Sequence, residues 1–237
     1  MYPETARFYD RIYASKDYAL EAQRIADIVG ENSPSSSDRR LRLLDVACGT
    51  GRHIEYLKAH YDVEGFDLCP ELLEIARQRN PGIPFHQGDM VDLDLGRRYD
   101  VVTCLFSAIG YVETADRLAQ AVSSMARHLV PGGLLLVEPW FTPEAWHPGG
   151  VHATFVDDNV LKIARVNTSE VEGRLSSFTF HYLIGTPGGV EHLTERHELG
   201  LFEVGEMCAA FTDAGLTVRH DPQGLTGRGL YIGRRGE

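Results

Sequence analysis

Two glycines, Gly49 and Gly51, stand close together in the stretch "LLDVACGTGRHIEYL", between an apolar run and a helical pattern. The apolar run at residues 43–47 is typical of a buried strand, and apolar side chains then recur at helical spacing. Glycine lets the backbone of the intervening turn adopt unusual dihedral angles and lets a ligand approach the main chain closely. The stretch therefore predicts a strand-to-helix turn that borders a nucleotide pocket.

Three further signals follow other predicted strands. Asp67 closes "VEGFD", where its carboxylate can accept hydrogen bonds from ribose hydroxyls. In "GDM", which begins at Gly88, Asp89 can accept from an exocyclic amine while Met90 packs against an adenine face. The stretch "LVPGGLLLVE" predicts a helix end, a Pro-Gly-Gly turn and a strand. Because ligands of an open parallel sheet bind at the carboxyl ends of its strands, the four signals together predict one cofactor site.

A dinucleotide-binding dehydrogenase is the first alternative, because it also uses a glycine turn and a ribose-binding acid. The chain lacks the third glycine of the G-x-G-x-x-G motif, since Ile54 stands at that position. A ligand without phosphates does not need that glycine. Each signal is also common by itself, because an Asp after a strand often caps a helix and Pro-Gly-Gly is a frequent turn.

The elements that must position these residues alternate along the chain. A helical segment is predicted within residues 1–32, most clearly over residues 6–30, and strand and helix patterns then alternate from residue 41 to residue 139. This alternation indicates βαβ units and a mostly parallel sheet. Residues from about 150 to 203 instead carry short alternating runs between turn signals, which predict an antiparallel β module inserted into a single α/β domain spanning residues 1–237.

Composition and charge limit the classes of function. Hydrophobic residues make up 43% and charged residues 24% of the 237 residues, which is ordinary for a soluble globular domain. The formal net charge of −11 disfavours binding to nucleic acid or to anionic membranes. No apolar run has the length of a membrane span, and the first residues do not resemble a secretory signal. The cysteines have no disulfide-like spacing, so a reducing compartment, the cytoplasm, is expected. They are Cys48, Cys69, Cys104 and Cys208.

The stretch "LLDVACGTG", the acidic end of the next strand, "GDM" and "LVPGG" together resemble the class I S-adenosylmethionine-dependent methyltransferases over most of the chain. The resemblance implies a Rossmann-like sheet of seven strands with the last antiparallel, and S-adenosylmethionine as the cofactor. It assigns Gly49 and the adjoining backbone to the methionine part, Asp67 to the ribose, and Asp89 with Met90 to the adenine. The cofactor-binding residues that it implies are Tyr9, Ala47, Gly49, Gly51, Asp67, Leu68, Gly88, Asp89, Met90 and Phe106.

Other stretches, together with the β module, resemble the bacterial N,N-dimethyltransferases that act on dTDP-linked amino sugars in macrolide biosynthesis, as for desosamine and mycaminose. These stretches are "FYDRIYASKDY", "FSAIGYV", "VEPWF" and "GLTGRGLYIG". The resemblance implies a nucleotide-linked amino sugar as methyl acceptor, a β module that binds it and supports a homodimer, and Tyr2, Tyr18 and Arg228 on the acceptor side. Another small-molecule amine or hydroxyl is the alternative acceptor, and a cofactor-binding regulator without catalysis is a more distant one.

Methyl transfer from a sulfonium needs a neutral amine in line with the methyl carbon. Holding both reactants in place supplies roughly 7–11 kcal/mol, so no nucleophile on the protein is required. Tyr111 and Glu138 are the candidate catalytic residues. Tyrosine is a poor base because its pKa is about 10, so we expect Tyr111→Phe to lower turnover only modestly. In the alternative interpretation Tyr111 is a wall of the pocket and Glu138 a strand-end carboxylate bonded to nearby backbone.

Charged and aromatic side chains suggest how a nucleotide sugar and a cation could be held. Arg228 stands between two glycines and can bind a diphosphate bidentately, although a solvated hairpin arginine is equally consistent with the pattern. The rings of Tyr9 and Tyr18 would each contribute about 0.5–2 kcal/mol beside a cationic sulfonium or ammonium.

No metal site is predicted. His192 and His197 in "HLTERH" lie in a β segment and face opposite sides, and no cluster of Cys and His has zinc spacing. His53, on the helix after the glycine turn, is expected to be a partly buried helix residue rather than a catalytic base.

Overall fold

The computed structural model describes residues 4–32 and 39–237. Its strands are β1 (Arg42–Val46), β2 (Asp62–Asp67), β3 (Phe85–Gln87), β4 (Tyr99–Cys104), β5 (Leu129–Val137), β6 (Val151–Asp157), β7 (Lys162–Glu172), β8 (Leu175–Thr186), β9 (Gly189–Gly200), β10 (Leu216–Asp221) and β11 (Leu230–Arg235). Seven of them form one sheet in the order β10-β11-β5-β4-β1-β2-β3, and the other four form a separate sheet in the order β6-β7-β8-β9.

The seven-stranded sheet is parallel from β1 to β5. Strand β11 lies between β5 and β10 and is antiparallel to both. The predicted Rossmann-like sheet with its last strand antiparallel is therefore confirmed. Strand β1 is apolar and almost wholly buried because helices cover both faces of the sheet at its centre.

The helices are α1 (Tyr9–Ile12), α2 (Tyr18–Asn32), α3 (Arg52–Leu57), α4 (Pro70–Arg79), α5 (Ala115–Arg127) and α6 (Val204–Asp213), with 3₁₀ helices at Ala6–Phe8, Met90–Asp92 and Ala108–Val112. Those from α2 onward pack on the two faces of the seven-stranded sheet. α5 and α6 bury side chains such as Met125 and Phe211 in one core, whereas α2, α3 and α4 bury Ile25, Ile54 and Leu73 in a second core. No helix in the described ranges is long and apolar enough to cross a membrane.

The four-stranded sheet is antiparallel throughout, as predicted for the inserted β module. Its strands alternate between a packed face and an exposed face, because neighbouring side chains of a strand point in opposite directions. Phe8 and Ile12 of the N-terminal segment pack on the inner face, where they meet Ile163, Phe180 and Ile184. The N-terminal segment thus joins the two sheets.

The predicted N-terminal helical segment is divided rather than continuous. Tyr13 leaves the helical conformation, with φ −104° and ψ 23°. The Asp17 carboxylate then accepts a hydrogen bond from the backbone N–H of Leu20 at 2.9 Å, which starts α2 as a new helix. The break separates α1, which contacts the four-stranded sheet, from α2, which packs beside α3.

The Pro-Gly-Gly stretch also differs from its prediction as a turn that precedes a strand. β5 begins at Leu129, where it pairs with Tyr99, and the next pair joins Leu134 to Val101. The extra residues of β5 between these pairs form a bulge, in which Gly132 has φ +76°. The helix ends earlier, at Arg127.

Candidate active site

A cavity of about 730 Å³ opens beyond the carboxyl ends of β1, β2 and β4. We call its wall at the strand ends the sheet end, formed by Ala47, Gly49, Asp67, Leu68, Asp89 and Met90. We call the opposite part of its lining the insert end, formed by Tyr13, Tyr111, Trp140, Arg165, Phe178 and Arg228. The sequence-predicted site residues that line the cavity are Tyr9, Ala47, Gly49, Asp67, Leu68, Gly88, Asp89, Met90, Phe106, Tyr111 and Arg228.

Gly49 and Asp67 form the centre of the sheet end. Gly49 has φ +56°, and a Cβ built on it meets no atom within 4 Å, so its main chain is open to a ligand. Asp67 accepts the N–H of Gly49 on Oδ2 at 2.7 Å and the N–H of Cys69 on Oδ1 at 2.9 Å. These bonds orient the carboxylate, and each oxygen keeps a lone pair for a ligand hydroxyl. Burial raises the pKa of Asp67, against the effect of its backbone hydrogen bonds.

Asp89 and Leu68 provide a polar and an apolar surface at the same end. Asp89 accepts the N–H of Val91 on Oδ1 at 3.0 Å, which caps a 3₁₀ helix, and a hydrogen bond from Arg117 on Oδ2 at 2.9 Å. Leu68 is 55% exposed although it is a large apolar residue. Such a side chain offers a surface that a flat aromatic ligand can cover.

Two predicted glycines are explained by packing. Gly51 begins α3 at φ +71°, and a Cβ there would lie 2.8 Å from Nδ2 of Asn80; Gly51 does not line the cavity. Gly88 does line it, but a Cβ at this position would lie 2.7 Å from the ring of Phe66. Both glycines therefore allow neighbouring elements to approach closely.

Backbone strain is concentrated where β1 and β4 meet the cavity. Ala47 has φ +56° and Phe106 has φ +53°, a left-handed conformation that is uncommon for residues with a side chain and frequent at functional sites. Glu138 is fully buried and does not line the cavity. Its carboxylate accepts the N–H of Phe106 at 2.6 Å and the hydroxyl of Thr226 at 2.6 Å. Glu138 thus contacts the site through the backbone of Phe106.

Tyr18, which was predicted on the acceptor side, is not in the cavity lining. Tyr18 is buried at the start of α2, and its ring meets the edge of His53 at a centroid distance of 4.9 Å. His53 is buried too, with Nε2 at 2.8 Å from the carboxylate of Glu21, as expected for a packed helix residue. Tyr2 lies outside the described residues.

A tyrosine pair and an arginine cover one side of the cavity. The rings of Tyr9 and Tyr13 lie 4.7 Å apart, and Tyr13 meets the ring of Phe106 edge-on at 5.2 Å. Arg165 of β7 donates to the Tyr13 hydroxyl at 3.0 Å and lies over the ring of Phe180 at 4.5 Å. Burial raises the pKa of Tyr9 well above its ordinary value, so this hydroxyl stays neutral.

Arg228 lies just before β11. It donates to the hydroxyl of Ser107 at 3.0 Å, and its guanidinium lies 5.2 Å from the ring of Trp140 and 5.3 Å from that of Phe141. Within residues 4–32 and 39–237, neither Arg228 nor Arg165 forms an ion pair with a carboxylate. The insert end thus holds two guanidinium groups whose charge is not neutralised there.

Tyr111 meets a histidine of the four-stranded sheet. Its hydroxyl lies 2.9 Å from Nδ1 of His197, and Nε2 of the same imidazole lies 3.6 Å from the carboxylate of Glu195. As expected from their spacing, His197 faces inward and is buried, whereas His192 is exposed beside His181. The described residues contain no group of three or more side chains suited to holding a metal ion.

Comparisons with known proteins identify the family of this chain. Residues 43–133 match the family described as a methyltransferase domain. The chain is 43% identical to dTDP-3-amino-3,4,6-trideoxy-alpha-D-glucopyranose N,N-dimethyltransferase of Streptomyces venezuelae over 96% of both proteins. It is 41% identical to dTDP-3-amino-3,6-dideoxy-alpha-D-glucopyranose N,N-dimethyltransferase of Streptomyces fradiae, with 98% of this chain and 91% of that protein covered. The chain belongs to the dTDP-amino-sugar N,N-dimethyltransferase family.

Solved structures give the same result for this family member. DesVI of Streptomyces venezuelae superposes with a TM-score of 0.91 at 41% identity, covering 98% of this chain and 99% of that one. CalS10, an amino pentose methyltransferase of Micromonospora echinaspora solved with bound S-adenosylmethionine, superposes with a TM-score of 0.86 at 37% identity, covering 96% of each chain. The protein is an S-adenosylmethionine-dependent methyltransferase. Its sheet end fits that cofactor, because it combines open main chain at Gly49, an oriented carboxylate and an exposed apolar side chain.

The residues at or beside the cavity that were not predicted from the sequence as site residues include Tyr13, Arg165 and His197. Tyr13 lies in the quoted stretch "FYDRIYASKDY", one helical turn after Tyr9, and that spacing is a signal that could have identified it. Arg165 and His197 lie on β strands whose inner face is decided by pairing with neighbouring strands. Alternation alone separates His197 from His192 but does not say which of the two faces the cavity.

Proposed function

We propose that this enzyme transfers methyl groups from S-adenosylmethionine to the amino group of a dTDP-linked amino deoxysugar, one at a time, and that it forms an N,N-dimethylated product. The supporting observation is the similarity to enzymes of that name over nearly the whole chain. The similarity includes the four-stranded sheet, which contributes Arg165, Phe178 and His197 beside the cavity. The seven-stranded sheet occurs in methyltransferases with many different acceptors, so similarity in that sheet alone says little about the acceptor. Similarity that extends over the β module is therefore the more informative kind.

Unneutralised charge at the insert end supports a nucleotide sugar. Arg228 and Arg165 line an otherwise aromatic part of the cavity, in a protein whose formal net charge is −11. Guanidinium groups bind phosphate oxygens through paired hydrogen bonds. We assign Arg228 to the diphosphate, as its sequence context suggests, and Arg165 to a second contact with the anionic part of the substrate. The nearby rings of Trp140 and Phe178 offer faces on which a base or sugar can pack.

The sheet end would hold the cofactor. We assign the methionine part to the open main chain at Gly49, the ribose hydroxyls to Asp67, and the adenine to Asp89, Met90 and Leu68. Asp89 already accepts from Arg117, so it would accept an amine hydrogen on a remaining lone pair. S-adenosylmethionine supplies a methyl group on a positively charged sulfur, and tyrosine rings such as that of Tyr9 would stabilise positive charge by about 0.5–2 kcal/mol each.

The rate acceleration would come mainly from holding acceptor and methyl donor in line. The cavity joins the sheet end to the insert end without a separating wall, and proximity of this kind supplies roughly 7–11 kcal/mol. Tyr111 is the titratable side chain of the insert end best placed to contact an amine. Glu138 would act indirectly, because it holds the backbone of Phe106 and lies outside the lining.

The experiment is incubation of the purified protein with S-adenosylmethionine and a panel of dTDP-3-amino and dTDP-4-amino deoxysugars, followed by mass spectrometry over time. We expect one sugar to gain one and then two methyl groups. Calorimetry with S-adenosylmethionine and NAD serves as the control for the cofactor. Cofactor binding without a mass change on any amino sugar would refute the acceptor and leave the methyltransferase assignment intact.

We also propose that the exposed face of the four-stranded sheet packs against a second copy of the chain. Phe155 and Leu183 are 71% and 53% exposed. The strand register places both in one row across the sheet, since Ala164 pairs with each of them. Large exposed apolar patches mark interfaces. We expect Leu183→Glu to convert a dimer into a monomer in analytical ultracentrifugation; a monomeric wild-type protein would contradict the proposal.

The cytoplasm is the proposed location. All four cysteines lie in the described residues, and none of them forms a disulfide there. Cysteines without disulfides are typical of a reducing compartment. Fractionation of the producing cells, with the protein followed by antibody, tests this location, and recovery in the culture medium would contradict it.

A further inference from the structure

Three side chains form a series that leads away from the cavity at the insert end. The Tyr111 hydroxyl, which lines the cavity, lies 2.9 Å from Nδ1 of His197. The other ring nitrogen, Nε2, lies 3.6 Å from Oε2 of Glu195. Glu195 and His197 are two residues apart on β9, so their side chains point to the same face of the sheet. A cavity-lining hydroxyl is therefore hydrogen-bonded to an imidazole, and a carboxylate lies in electrostatic contact with the other side of that imidazole.

The imidazole in the middle of this series is held tightly. His197 is 2% exposed, Phe178 stacks on its ring at 5.6 Å and 14°, and Phe180 meets it edge-on at 5.1 Å. Among the described residues, Tyr111 lies against Nδ1 and Glu195 against Nε2 of the imidazole. The hydroxyl of Tyr182 donates to the same Glu195 oxygen at 3.2 Å. The packing and these contacts hold the ring in one orientation.

The carboxylate determines which nitrogen carries the hydrogen. Burial raises the pKa of Glu195, but its interactions, led by that with His197, outweigh burial and hold the pKa below its ordinary value. An ionised carboxylate only accepts, and it lies 3.6 Å from Nε2, so it favours the hydrogen on Nε2 and leaves Nδ1 as an acceptor. The Tyr111 O–H then donates to Nδ1. The Tyr111 side chain lines the cavity, and a hydroxyl oxygen that donates its hydrogen can still accept a hydrogen bond.

We propose that His197 and Glu195 are positioning residues that make Tyr111 a hydrogen-bond acceptor and a proton outlet for the amine that is methylated. This inference rests on the proposed function, because it requires an amine as the acceptor. An alkyl ammonium has no lone pair and must lose a proton before it can accept a methyl group. The same requirement returns after the first methylation, so the device would act twice for each dimethylated product.

The proton moves in two coupled transfers. One N–H bond of the ammonium breaks as a new O–H bond forms on Tyr111, and the original Tyr111 proton moves to Nδ1 of His197. The products are a neutral amine, a neutral tyrosine and an imidazolium that faces the Glu195 carboxylate. Tyrosine itself never has to become a phenolate, which removes the objection that its pKa is too high for a base. After the methylated product leaves, the two transfers reverse: Nδ1 returns a proton to the Tyr111 oxygen and the Tyr111 hydroxyl gives one to water in the cavity, which restores the neutral imidazole.

The first test measures kcat from pH 6 to pH 9 for the wild type, Tyr111→Phe, Glu195→Gln and the double variant. We expect Tyr111→Phe and Glu195→Gln each to lower kcat about 10-fold to 100-fold, within or below the usual contribution of general acid–base catalysis. Loss of the Glu195 charge removes the carboxylate that stabilises the imidazolium formed in the transfer, so the loss should appear in kcat and not in cofactor affinity. The double variant is expected to be no slower than Tyr111→Phe, because both changes interrupt one series.

Glu198→Gln is the matched control, since it makes the same chemical change on the same strand at a surface carboxylate paired with Arg196. It is expected to keep the wild-type rate and pH profile. Glu195→Asp, which restores the charge, should recover part of the rate. Equal effects of the Gln variants at positions 195 and 198, or additive losses in the double variant, would overturn the proposal.

A second readout does not depend on activity. In ¹⁵N-labelled protein, the imidazole signals of His197 are identified by their loss in His197→Gln. We expect hydrogen on Nε2 at pH 7.5 in the wild type and a loss of this preference in Glu195→Gln. Hydrogen on Nδ1 instead would refute the assigned polarity even if the enzyme methylates amino sugars. If the wild type binds the cofactor but methylates no amine, the proposed function fails and this proposal fails with it.

Discussion

The two ends of the cavity are built in different ways. The sheet end is formed by the ends of consecutive parallel strands and by the short turns after them, all between Ala47 and Met90. The insert end brings together distant segments, since Tyr111 and His197 are 86 positions apart and Tyr13 and Arg165 are 152 positions apart. The first kind of site needs particular residues at fixed positions in local turns. A site of the second kind needs only that distant side chains meet after the two sheets have formed. It therefore leaves little recognisable pattern in any short stretch of the sequence.

Because the sheet end binds its ligand through main chain, we expect the largest loss of ligand affinity from a substitution that changes the main chain there. Gly49→Ala places a methyl group in open cavity space and strains a residue at φ +56°. We expect the affinity for S-adenosylmethionine to fall about 100-fold, which corresponds to about 2.7 kcal/mol, when measured by calorimetry. KM for the acceptor, measured at saturating cofactor, should change little.

Gly82→Ala is the control for strain alone. Gly82 also has a positive φ, +86°, and a Cβ at this position would likewise meet no atom within 4 Å, but Gly82 lies outside the cavity lining. Both substitutions should cost about 1 kcal/mol of stability. Only the change at Gly49 should weaken cofactor binding. Normal affinity in Gly49→Ala would mean that the cofactor does not approach this turn.

At the insert end we expect a charged side chain, rather than the main chain, to have the strongest effect. Arg228→Ala removes an unneutralised guanidinium and should raise KM for a dTDP-amino sugar about 10-fold to 100-fold, because a hydrogen bond to a charged group contributes roughly 1.5–3 kcal/mol. Cofactor affinity should be unchanged. Arg228→Lys keeps the charge but loses the planar guanidinium, so its KM should lie between those of the wild type and Arg228→Ala. Weakened cofactor binding in Arg228→Ala would reassign the residue to the sheet end.

The sequence predicts the sheet end well for the same physical reason. A buried apolar strand, a glycine at a left-handed position and a carboxylate after the next strand must follow one another in the chain, so Gly49, Asp67 and Asp89 are found from spacing alone. Gly51 and Gly88 follow the same motif but are fixed by contacts with Asn80 and Phe66. The glycine motif therefore identifies the turn. It does not distinguish a glycine that is open to the ligand from a glycine that lets neighbouring elements pack closely.

The insert end is less predictable because register and helix breaks decide it. The four strands are evident from alternation, but the face of β7 that carries Arg165 is fixed by its pairing with β6 and β8. The N-terminal segment resembles one helix until Tyr13 leaves the helical conformation and Asp17 starts a second helix. Likewise, the bulge at Gly132 depends on pairing with β4, which no local pattern contains.

The sheet end also has a cost in stability that depends on pH. Asp45 is buried at the end of β1, where Oδ1 accepts from Thr103 at 2.7 Å and Oδ2 has no hydrogen-bond partner in the described part of the chain. Burial raises the pKa of Asp45 to about 6, although His53 and Thr103 oppose the shift. A carboxyl whose pKa is raised by folding binds its proton more tightly in the folded state. Its contribution to stability is therefore lost as the pH rises from about 4 to about 6.

Asp45→Asn should remove this dependence. Relative to the wild type, the free energy of unfolding of the variant should improve by about 1–3 kcal/mol between pH 4.5 and pH 7.5, as a shift of roughly two pH units implies. Urea unfolding at the two pH values measures the change. Asp89→Asn is the comparison, because Asp89 is a partly exposed carboxylate that pairs with Arg117. Its free energy of unfolding should not improve relative to the wild type between the two pH values. A constant difference between Asp45→Asn and the wild type would contradict the assignment.

The smallest effect on kcat is expected from Glu138→Gln. This variant tests whether Glu138 handles protons in catalysis or only holds the backbone of Phe106. One carboxylate oxygen of Glu138 accepts a fixed donor, the backbone N–H of Phe106, and the other accepts the Thr226 hydroxyl. A hydroxyl can reverse its hydrogen bond, whereas a backbone N–H cannot. Glutamine at position 138 can therefore direct its carbonyl oxygen to Phe106 and its amide hydrogens to Thr226.

We expect Glu138→Gln to keep kcat within about threefold, well below the 10²-fold loss typical of a missing general base. Glu138→Ala leaves the Phe106 N–H without its acceptor and should lower both Tm and kcat. A thousandfold loss of kcat in Glu138→Gln with normal Tm would instead make Glu138 a proton-handling residue.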